Sequence, residues 1–231
     1  MSRPNVPPDA GKTRQTVANA VEIAADGVVL EGDMVLPSNA AGIVLFAHGS
    51  GSSRHSPRNR FVAHAIQSAG IGTLLFDLLT REEEAVDDAD GRLRFDIGLL
   101  ARRLVAATRW LARQRGAHAL GLGYFGASTG GAAALVAASQ LGLAIDAVVS
   151  RGGRPDLAGD ALPRVQSPTL LIVGERDEVV LDLNRDALAR LECPKELAIV
   201  PAATHLFEEP GALEEVATLA TSWFLRHLHP R

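Results

Sequence analysis

The fold of this chain is indicated first by residues 120–131, which read LGLGYFGASTGG. The apolar run Leu120–Phe125 predicts a buried strand, and the alanine-rich run Thr129–Ser139 predicts a helix that follows it after one sharp turn. The turn contains a Gly-x-Ser-x-Gly pattern with Ser128 at its centre, and its glycines permit the close approaches that so tight a turn requires. Ser128 is therefore a candidate nucleophile, presented on a strained turn at the end of a strand.

The rest of the chain alternates strands and helices around this turn. Asp26-Gly27 predicts an N-terminal antiparallel hairpin, and from Gly42 onward wholly apolar strands alternate with amphipathic helices. Strands without a polar face indicate a mostly parallel sheet covered by helices on both sides. We expect a disordered leader over residues 1–18 and a single α/β domain over residues 19–231. The strands predicted after the hairpin are Ile43–Ala47, Thr73–Phe76, Leu120–Phe125, Ile145–Val149, Thr169–Val173 and Leu197–Val200.

A dinucleotide-binding fingerprint overlaps the same stretch. Gly121, Gly123 and Gly126 match Gly-x-Gly-x-x-Gly, and Asp146 follows them at about the spacing of the ribose-binding acid. That fingerprint needs its glycines in the turn after the strand and its acid at the far end of the next strand. Here the glycines lie mostly inside the strand and Asp146 precedes the next strand, so we reject a nucleotide site.

A serine hydroxyl needs a base to accept its proton and an acid to orient that base. After a nucleophile on such a turn, the acid and then the histidine follow along the chain. Asp177 comes after the strand Thr169–Val173, at the edge where parallel sheets form their sites, and His205 comes after the last strand. These two residues are the candidate acid and base, and Glu175, Glu178 and Asp182 remain alternative acids. The histidines that fit less well by order or position include His55, His64, His118, His227 and His229.

The tetrahedral intermediate of acyl transfer needs hydrogen-bond donors for its oxyanion. The backbone N–H of Thr129, directly after the nucleophile, is one expected donor. The second is expected from the loop after Ile43–Ala47, which begins HGSGSS at His48, and Ser50 is the candidate. His48 itself is predicted to order this loop by hydrogen bonding rather than to act as a base.

The charge and the apolar content of the chain limit the kinds of molecule that it can bind. The net charge of −4 and the pI near 6.0 argue against nucleic acid and an anionic membrane, since both favour a basic face. Cys193 is the single cysteine, and no apolar run reaches the ~20 residues of a membrane span. With no visible signal peptide, we expect a cytoplasmic protein. The acidic segment Thr80–Arg94 is predicted to be a solvated surface loop and not a metal site.

Four motifs together resemble the dienelactone hydrolase-like branch of the α/β hydrolases. They are HGSGSSRHSPRN at 48–59, FGASTGG at 125–131, GERD at 174–177 and THLFEEPG at 204–211. The likeness extends from about Val21 to the C-terminus. It implies an α/β-hydrolase fold, a Ser-His-Asp mechanism on the residues assigned above, a site with neither cofactor nor metal, and a small or absent lid.

One departure from that family changes the expected reaction. Dienelactone hydrolases proper use a cysteine nucleophile, whereas this sequence has Ser128 there, so lactone hydrolysis does not carry over. We expect a small-molecule substrate, a carboxylic ester of a small or medium acyl group, hydrolysed through an acyl-enzyme. The short segment after Val149 predicts an open, shallow site, where Arg151 either binds an acidic substrate group or makes a structural salt bridge. The alternatives are acyl transfer or peptide hydrolysis on the same residues, and a non-catalytic binding module.

Overall fold

A computed structural model describes residues 18–231, so the predicted leader lies outside the described residues apart from its last position. Within this range the strands are β1 (Asn19–Ala25), β2 (Val28–Val35), β3 (Gly42–Ala47), β4 (Gly72–Phe76), β5 (Gly121–Ala127), β6 (Ala147–Arg151), β7 (Thr169–Gly174) and β8 (Lys195–Val200). They form one eight-stranded sheet in the order β1-β2-β4-β3-β5-β6-β7-β8.

The first two strands form the predicted hairpin. β1 pairs antiparallel with β2 across Asp26 and Gly27, whose φ angles are 46° and 82°. β2 also pairs antiparallel with β4, and the remaining neighbours are parallel. Every residue of β3 to β7 is buried, as expected for strands that helices cover on both faces. The predicted α/β architecture is confirmed.

Helices cover both faces of the sheet in the described range. They are α1 (Pro57–Ser68), α2 (Arg81–Asp90), α3 (Ile97–Leu111), α4 (Thr129–Leu141), α5 (Glu178–Arg190) and α6 (Ala212–His227). One core joins α3, α4 and α5 to Leu45 and Tyr124 of the sheet, and the opposite core joins α1 and α6 to Phe46 and Phe125. Because side chains alternate along each strand, neighbouring residues enter different cores. Over this range no helix has the length and apolar character needed to cross a bilayer.

The acidic segment Thr80–Arg94 is not the loop that its charge pattern predicts, because Arg81–Asp90 form α2. The hydroxyl of Thr80 accepts the N–H of Glu83 at 3.2 Å, and the carboxylate of Glu83 accepts the N–H of Thr80 at 2.9 Å. These reciprocal bonds make a capping box, and Gly91 ends the helix with a φ of 69°. The prediction was wrong because charge density was weighted above the Thr-x-x-Glu pattern.

The segment that follows β6 is short, as expected. β6 continues beyond the predicted strand end, because Arg151 still pairs in register with Ala127 of β5. A 3₁₀ segment over Pro155–Arg164 then leads to β7 and packs on α4 and α5. The connection from β6 to β7 is therefore one short segment that packs on helices.

Candidate active site

Ser128 occupies the turn between β5 and α4 in a conformation that residues other than glycine rarely adopt. Its φ and ψ are 51° and −120°, and its N–H donates to the carbonyl oxygen of Arg151 at 3.2 Å. A Cβ atom on Gly126 would overlap the carbonyl oxygen of Gly130, and one on Gly130 would overlap that of Ala47. The turn forms because both of these positions are glycine.

The candidate acid and base come from neighbouring loops and are hydrogen bonded. Asp177 follows β7, His205 follows β8, and Nδ1 of His205 lies 2.6 Å from Oδ2 of Asp177. A Cβ atom on Gly174 would overlap the carbonyl oxygen of Ala203, so glycine at the end of β7 lets the two loops approach. The Asp177 side chain is 14% exposed and the His205 side chain 39%, which leaves the imidazole accessible to a substrate.

The alternative acids near β7 have other partners. Glu175 accepts the N–H of Ala202 at 2.7 Å, and Asp182 pairs with Arg185 at 2.9 Å on the surface. Glu178 is exposed in the first turn of α5. Asp177 is therefore the acid that the structure brings to the histidine, while its catalytic role stays a prediction.

Ser128 and His205 contact two consecutive residues at the end of β6, one each. Arg151 accepts the N–H of Ser128, and a Cβ atom on the next residue, Gly152, would lie 3.5 Å from Cε1 of His205. Gly152 has a φ of 50°, a conformation that glycine adopts without strain, and it leaves room for the imidazole. The predicted nucleophile, acid and base therefore converge on one edge of the sheet.

The two amides predicted to hold an oxyanion belong to adjoining turns. The N–H of Ser50 donates to Oγ1 of Thr129 at 3.0 Å. A Cβ atom on Gly49 would lie 3.1 Å from Cβ of Ser128, so the loop after β3 packs directly on the nucleophile turn. The Ser50 amide is thus tied to the residue that supplies the other expected donor.

His48 orders the loop after β3 by hydrogen bonding. Its Nε2 accepts the N–H of Leu78 at 3.1 Å, and its Nδ1 lies 3.0 Å from the carbonyl oxygen of Gly49. Burial lowers the pKa of His48 and so favours the neutral ring, whose Nε2 can accept. The prediction of a loop-ordering role agrees with these contacts, which fix the loop to the end of β4.

Arg151 is a buried cation with no carboxylate partner within ion-pair distance in the described part of the chain. Its Nη2 lies 3.5 Å from Oδ1 of Asn59, its guanidinium lies 5.8 Å from the centre of the Phe207 ring, and Nε and Nη1 have no hydrogen-bond partner. Burial, and to a lesser extent the charge of Arg58, lowers the pKa of Arg151 to about 10. Of the two roles considered from the sequence, the structural salt bridge does not form with any residue in the range 18–231.

A cavity of about 470 Å³ lies next to this centre, between the loop after β3 and helix α2. Its lining combines Gly49 and Ser50 with leucine side chains and with charged side chains of α2. The sequence prediction missed the cavity because it treated the acidic segment as a solvated loop. The capping-box residues Thr80 and Glu83 were the signal that could have revealed this wall.

Neither a metal site nor the single cysteine contributes to the candidate site in the described residues. Across residues 18–231, no three His, Cys, Asp or Glu side chains are grouped so as to hold a metal ion. Cys193 is buried, burial raises its pKa, and its Sγ lies 3.7 Å from Oγ1 of Thr169. This environment favours the inert thiol over the thiolate.

Known proteins resemble the chain over almost its whole length. The sequence profile of the dienelactone hydrolase family matches residues 30–227. Two curated relatives from Mycobacterium tuberculosis, each named "Putative phosphoribosyl transferase", are 57% identical over 208 residues. That match covers 90% of this chain and 46% of theirs, so the chain spans about half the length of these relatives.

Solved structures show the same architecture. A crystal structure of a dienelactone hydrolase from Anabaena variabilis is 59% identical, with a TM-score of 0.91, and the match covers 92% of this chain and 99% of that one. An esterase from Pyrococcus furiosus has a TM-score of 0.72 at 19% identity, with 92% of each chain covered, and supports the fold alone. The α/β-hydrolase fold expected from the sequence is confirmed.

Proposed function

We propose, from the premise that this chain belongs to the dienelactone hydrolase family, that it is a serine hydrolase that cleaves carboxylic esters of small or medium acyl groups. Family membership supports hydrolysis, and ester cleavage by Ser128 is the finer step that the proposal adds. The observation that carries it is the 2.6 Å contact between His205 and Asp177, at the same edge of the sheet as a serine held at a φ of 51°. A binding module would have no need of a strained serine beside an oriented imidazole.

The first half of the proposed reaction forms the acyl-enzyme. Nε2 of His205 takes the proton of the Ser128 hydroxyl while Oγ bonds to the ester carbonyl carbon. The Asp177 carboxylate accepts the hydrogen bond from Nδ1–H, which selects the tautomer with a free Nε2 and stabilises the imidazolium. The tetrahedral intermediate then collapses, and the imidazolium gives its proton to the departing alkoxide, which leaves as the alcohol.

Water reverses these steps in the second half. His205 takes a proton from the water, and the water oxygen bonds to the acyl carbon. When the bond to Oγ breaks, the proton returns to Ser128 and the carboxylic acid leaves. An alcohol or amine in place of water would give acyl transfer, so the second acceptor is the point at which the two reactions differ.

The oxyanion is assigned to the N–H groups of Thr129 and Ser50. Thr129 begins α4, where N–H groups lack partners within the helix and the helix dipole favours negative charge. The Ser50 N–H, which donates to the Thr129 hydroxyl, exchanges that acceptor for the oxyanion as charge develops. The exchange is favourable because a charged oxygen accepts a stronger hydrogen bond than a hydroxyl does.

Arg151 is assigned to an acidic group of the substrate. Leaving buried N–H donors of a cation without acceptors is costly, and Nε and Nη1 are two such donors. A carboxylate or phosphate on one arm of the ester would supply the missing acceptor. The hydrolase proposal does not require this assignment of Arg151. The assignment holds whether the acidic group is on the acyl arm or on the alcohol arm of the ester.

The experiment that tests the proposal combines active-site labelling with ester turnover. A fluorophosphonate probe should label the native protein, and Ser128→Ala should abolish labelling and lower kcat for p-nitrophenyl esters at least ~10⁴-fold. Ser139→Ala is the matched control, since Ser139 lies on the same α4 and its hydroxyl donates only to the carbonyl oxygen of Val136. We expect it to keep full labelling and turnover.

The outcomes of labelling and turnover test the hydrolase activity, the nucleophile and the acyl acceptor separately. A native protein that is not labelled at Ser128 would contradict the hydrolase proposal, and turnover that persists in Ser128→Ala would contradict the nucleophile. A series of p-nitrophenyl esters of increasing chain length should favour short and medium acyl groups. Faster transfer of the acyl group to an added alcohol than to water would identify the protein as an acyltransferase.

A further inference from the structure

The cavity between the loop after β3 and helix α2 lies within reach of a substrate at Ser128. Gly49 lines this cavity and also packs on Ser128, and Ser50 lines it and donates to Thr129. Its volume of about 470 Å³ lies in the range of small-molecule binding sites. An ester whose carbonyl carbon meets Oγ of Ser128 therefore has one of its two arms beside the cavity.

The cavity has an apolar side and a charged side. Leu78, Leu79 and Leu100 contribute the apolar side, and each is at most 6% exposed. The charged side comes from α2 and the residues that follow it, because successive turns of the helix present Glu84 and Asp88 toward the lining. A group that has both apolar atoms and a charge fits such a lining better than a purely apolar chain does.

The charges at this cavity do not balance. Arg94 bonds to Asp87 and, at 3.0 Å, to Asp88, so one guanidinium serves two carboxylates. Glu84 lines the cavity and has no ion-pair partner in the range that the structure describes. His48 also lines it, but burial lowers its pKa and its Nε2 accepts the N–H of Leu78, which favours the neutral ring. Three acidic side chains therefore face one arginine.

Among the carboxylates that line this cavity, Glu84 is the one without an ion pair to any residue that the structure describes. Burial raises its pKa, the charges of Asp77 and Asp88 raise it further, and the smaller effects of Arg54 and Arg81 lower it without cancelling the increase. Asp77 is neutralised by its own ion pair with Arg54, in contrast to Glu84. A cation placed in the cavity would lower the electrostatic cost of the ionised Glu84.

We propose that this cavity binds an ammonium-bearing arm of the ester substrate, with the Glu84 carboxylate as its counter-charge and the leucine side as its apolar contact. The inference rests on the proposed function and names a substrate class for it. Alkylammonium groups suit the lining because their methyl groups can contact the leucines while the charge faces Glu84. A carboxylate in the same place would be repelled. Arg151 is not part of the cavity lining, so we assign its acidic group to the other arm.

The test uses pairs of esters that share a shape and differ in charge. One pair, choline butyrate and 3,3-dimethylbutyl butyrate, carries the ammonium group or its uncharged carbon equivalent on the alcohol. The second pair carries the same two groups at the end of the acyl chain of a p-nitrophenyl ester. The ratio of kcat/KM, charged over neutral, is measured for the native protein, Glu84→Gln and Glu82→Gln. Glu82 is the matched control, because it is an exposed carboxylate of the same helix outside the lining.

We expect a ratio of at least about 5 in one pair for the native protein, decreasing toward 1 in Glu84→Gln and in high salt. Glu82→Gln should keep the native ratio, and the pair that shows the preference identifies the arm. Ratios near 1 in both pairs, or a preference that persists in Glu84→Gln, would overturn the proposal.

A binding measurement separates this proposal from the hydrolase proposal. Choline butyrate is titrated into Ser128→Ala and into Ser128→Ala with Glu84→Gln, using calorimetry, so that no turnover is needed. Binding at least about fivefold weaker in the double variant supports the cavity assignment even if the protein hydrolyses no ester. Equal binding by the two variants would contradict it.

Discussion

The turn at Ser128 and the acidic helix α2 lie near the same loop, the one after β3, and are built in opposite ways. The turn depends on missing side chains, since Gly126 and Gly130 let backbone meet backbone. Helix α2 depends on charged side chains that find partners in other elements, as Glu83 does with Arg103 of α3 at 2.6 Å. One region is defined by steric exclusion and the other by ion pairs.

This difference decides how far each region can be predicted from sequence. A steric requirement within a tight turn is local, so a short pattern between a strand and a helix is sufficient to place Ser128. An ion pair requires a partner whose position depends on the whole fold, so the charges of α2 carry little local information. The three predictions that follow test this contrast in order of decreasing effect.

The largest effect is expected at the turn. Gly130→Ala places a methyl group against the carbonyl oxygen of Ala47, which belongs to a buried central strand and cannot move freely. We expect a loss of about 3 kcal/mol in the free energy of unfolding and a loss of at least ~100-fold in ester kcat/KM. Denaturant unfolding measures the free energy of unfolding, and ester assays measure kcat/KM.

The control for that variant is Gly98→Ala in the first turn of α3. A Cβ atom there would lie 3.2 Å from Oδ1 of Asp96, which accepts the N–H of Leu99, and 3.5 Å from Nη1 of Arg102, so only side-chain ends have to adjust by a few tenths of an ångström. Stability and turnover should remain close to native or improve slightly. If both alanine variants behave alike, the turn does not depend on steric exclusion.

A smaller effect is expected where α2 is held to the body of the protein. Arg103 is 4% exposed, donates to the carbonyl oxygen of Ala25 at 2.6 Å and pairs with Glu83 at the start of α2. Arg103→Ala leaves both acceptors without this donor, so we expect a loss of about 2 kcal/mol in the free energy of unfolding. Arg102→Ala, on the exposed side of the same helix, should change it by less than ~0.5 kcal/mol. Equal losses would show that the buried pair is not what fixes α2.

The smallest effect is a pH dependence at the loop that joins the two regions. Because the folded state lowers the pKa of His48, the unfolded chain binds the proton more readily. The contribution of His48 to stability is therefore present above the unfolded pKa of about 6.5 and is lost as the pH falls toward the folded value. Between about pH 7.5 and 5.5, the native protein should lose stability by at most about 1.4 kcal/mol per pH unit from this group.

His48→Gln isolates this contribution. The variant should be less stable at neutral pH and should show a shallower decrease on acidification, measured by denaturant unfolding at several pH values. His55→Gln, an exposed histidine of the same loop, should retain the native pH dependence. A native slope in His48→Gln would show that another group causes the acid sensitivity.

The sequence predicted the convergence of Asp177 and His205 because each follows a strand of a parallel sheet, and such strand ends share one edge. It could not predict the hydrogen bond itself or the packing of His205 on Gly152, since both depend on how loops after different strands meet. Arg151 was left between two roles for the same reason. In the part of the chain that the structure describes, the neighbours packed on Arg151 are Asn59 and Phe207 and not a carboxylate, which the adjacent sequence does not reveal.

The sequence by itself determined the alternation of strands and helices, the strained turn at Ser128, and the order of nucleophile, acid and histidine. These follow from local periodicity, from glycine where side chains cannot fit, and from chain order. The tertiary structure alone decided that the helix of the acidic segment borders a cavity and that, within residues 18–231, Arg151 is buried without a counter-charge and Glu84 has no ion-pair partner. Burial and charge compensation depend on residues far apart in sequence, so they become defined only when the sheet and its two helical layers pack.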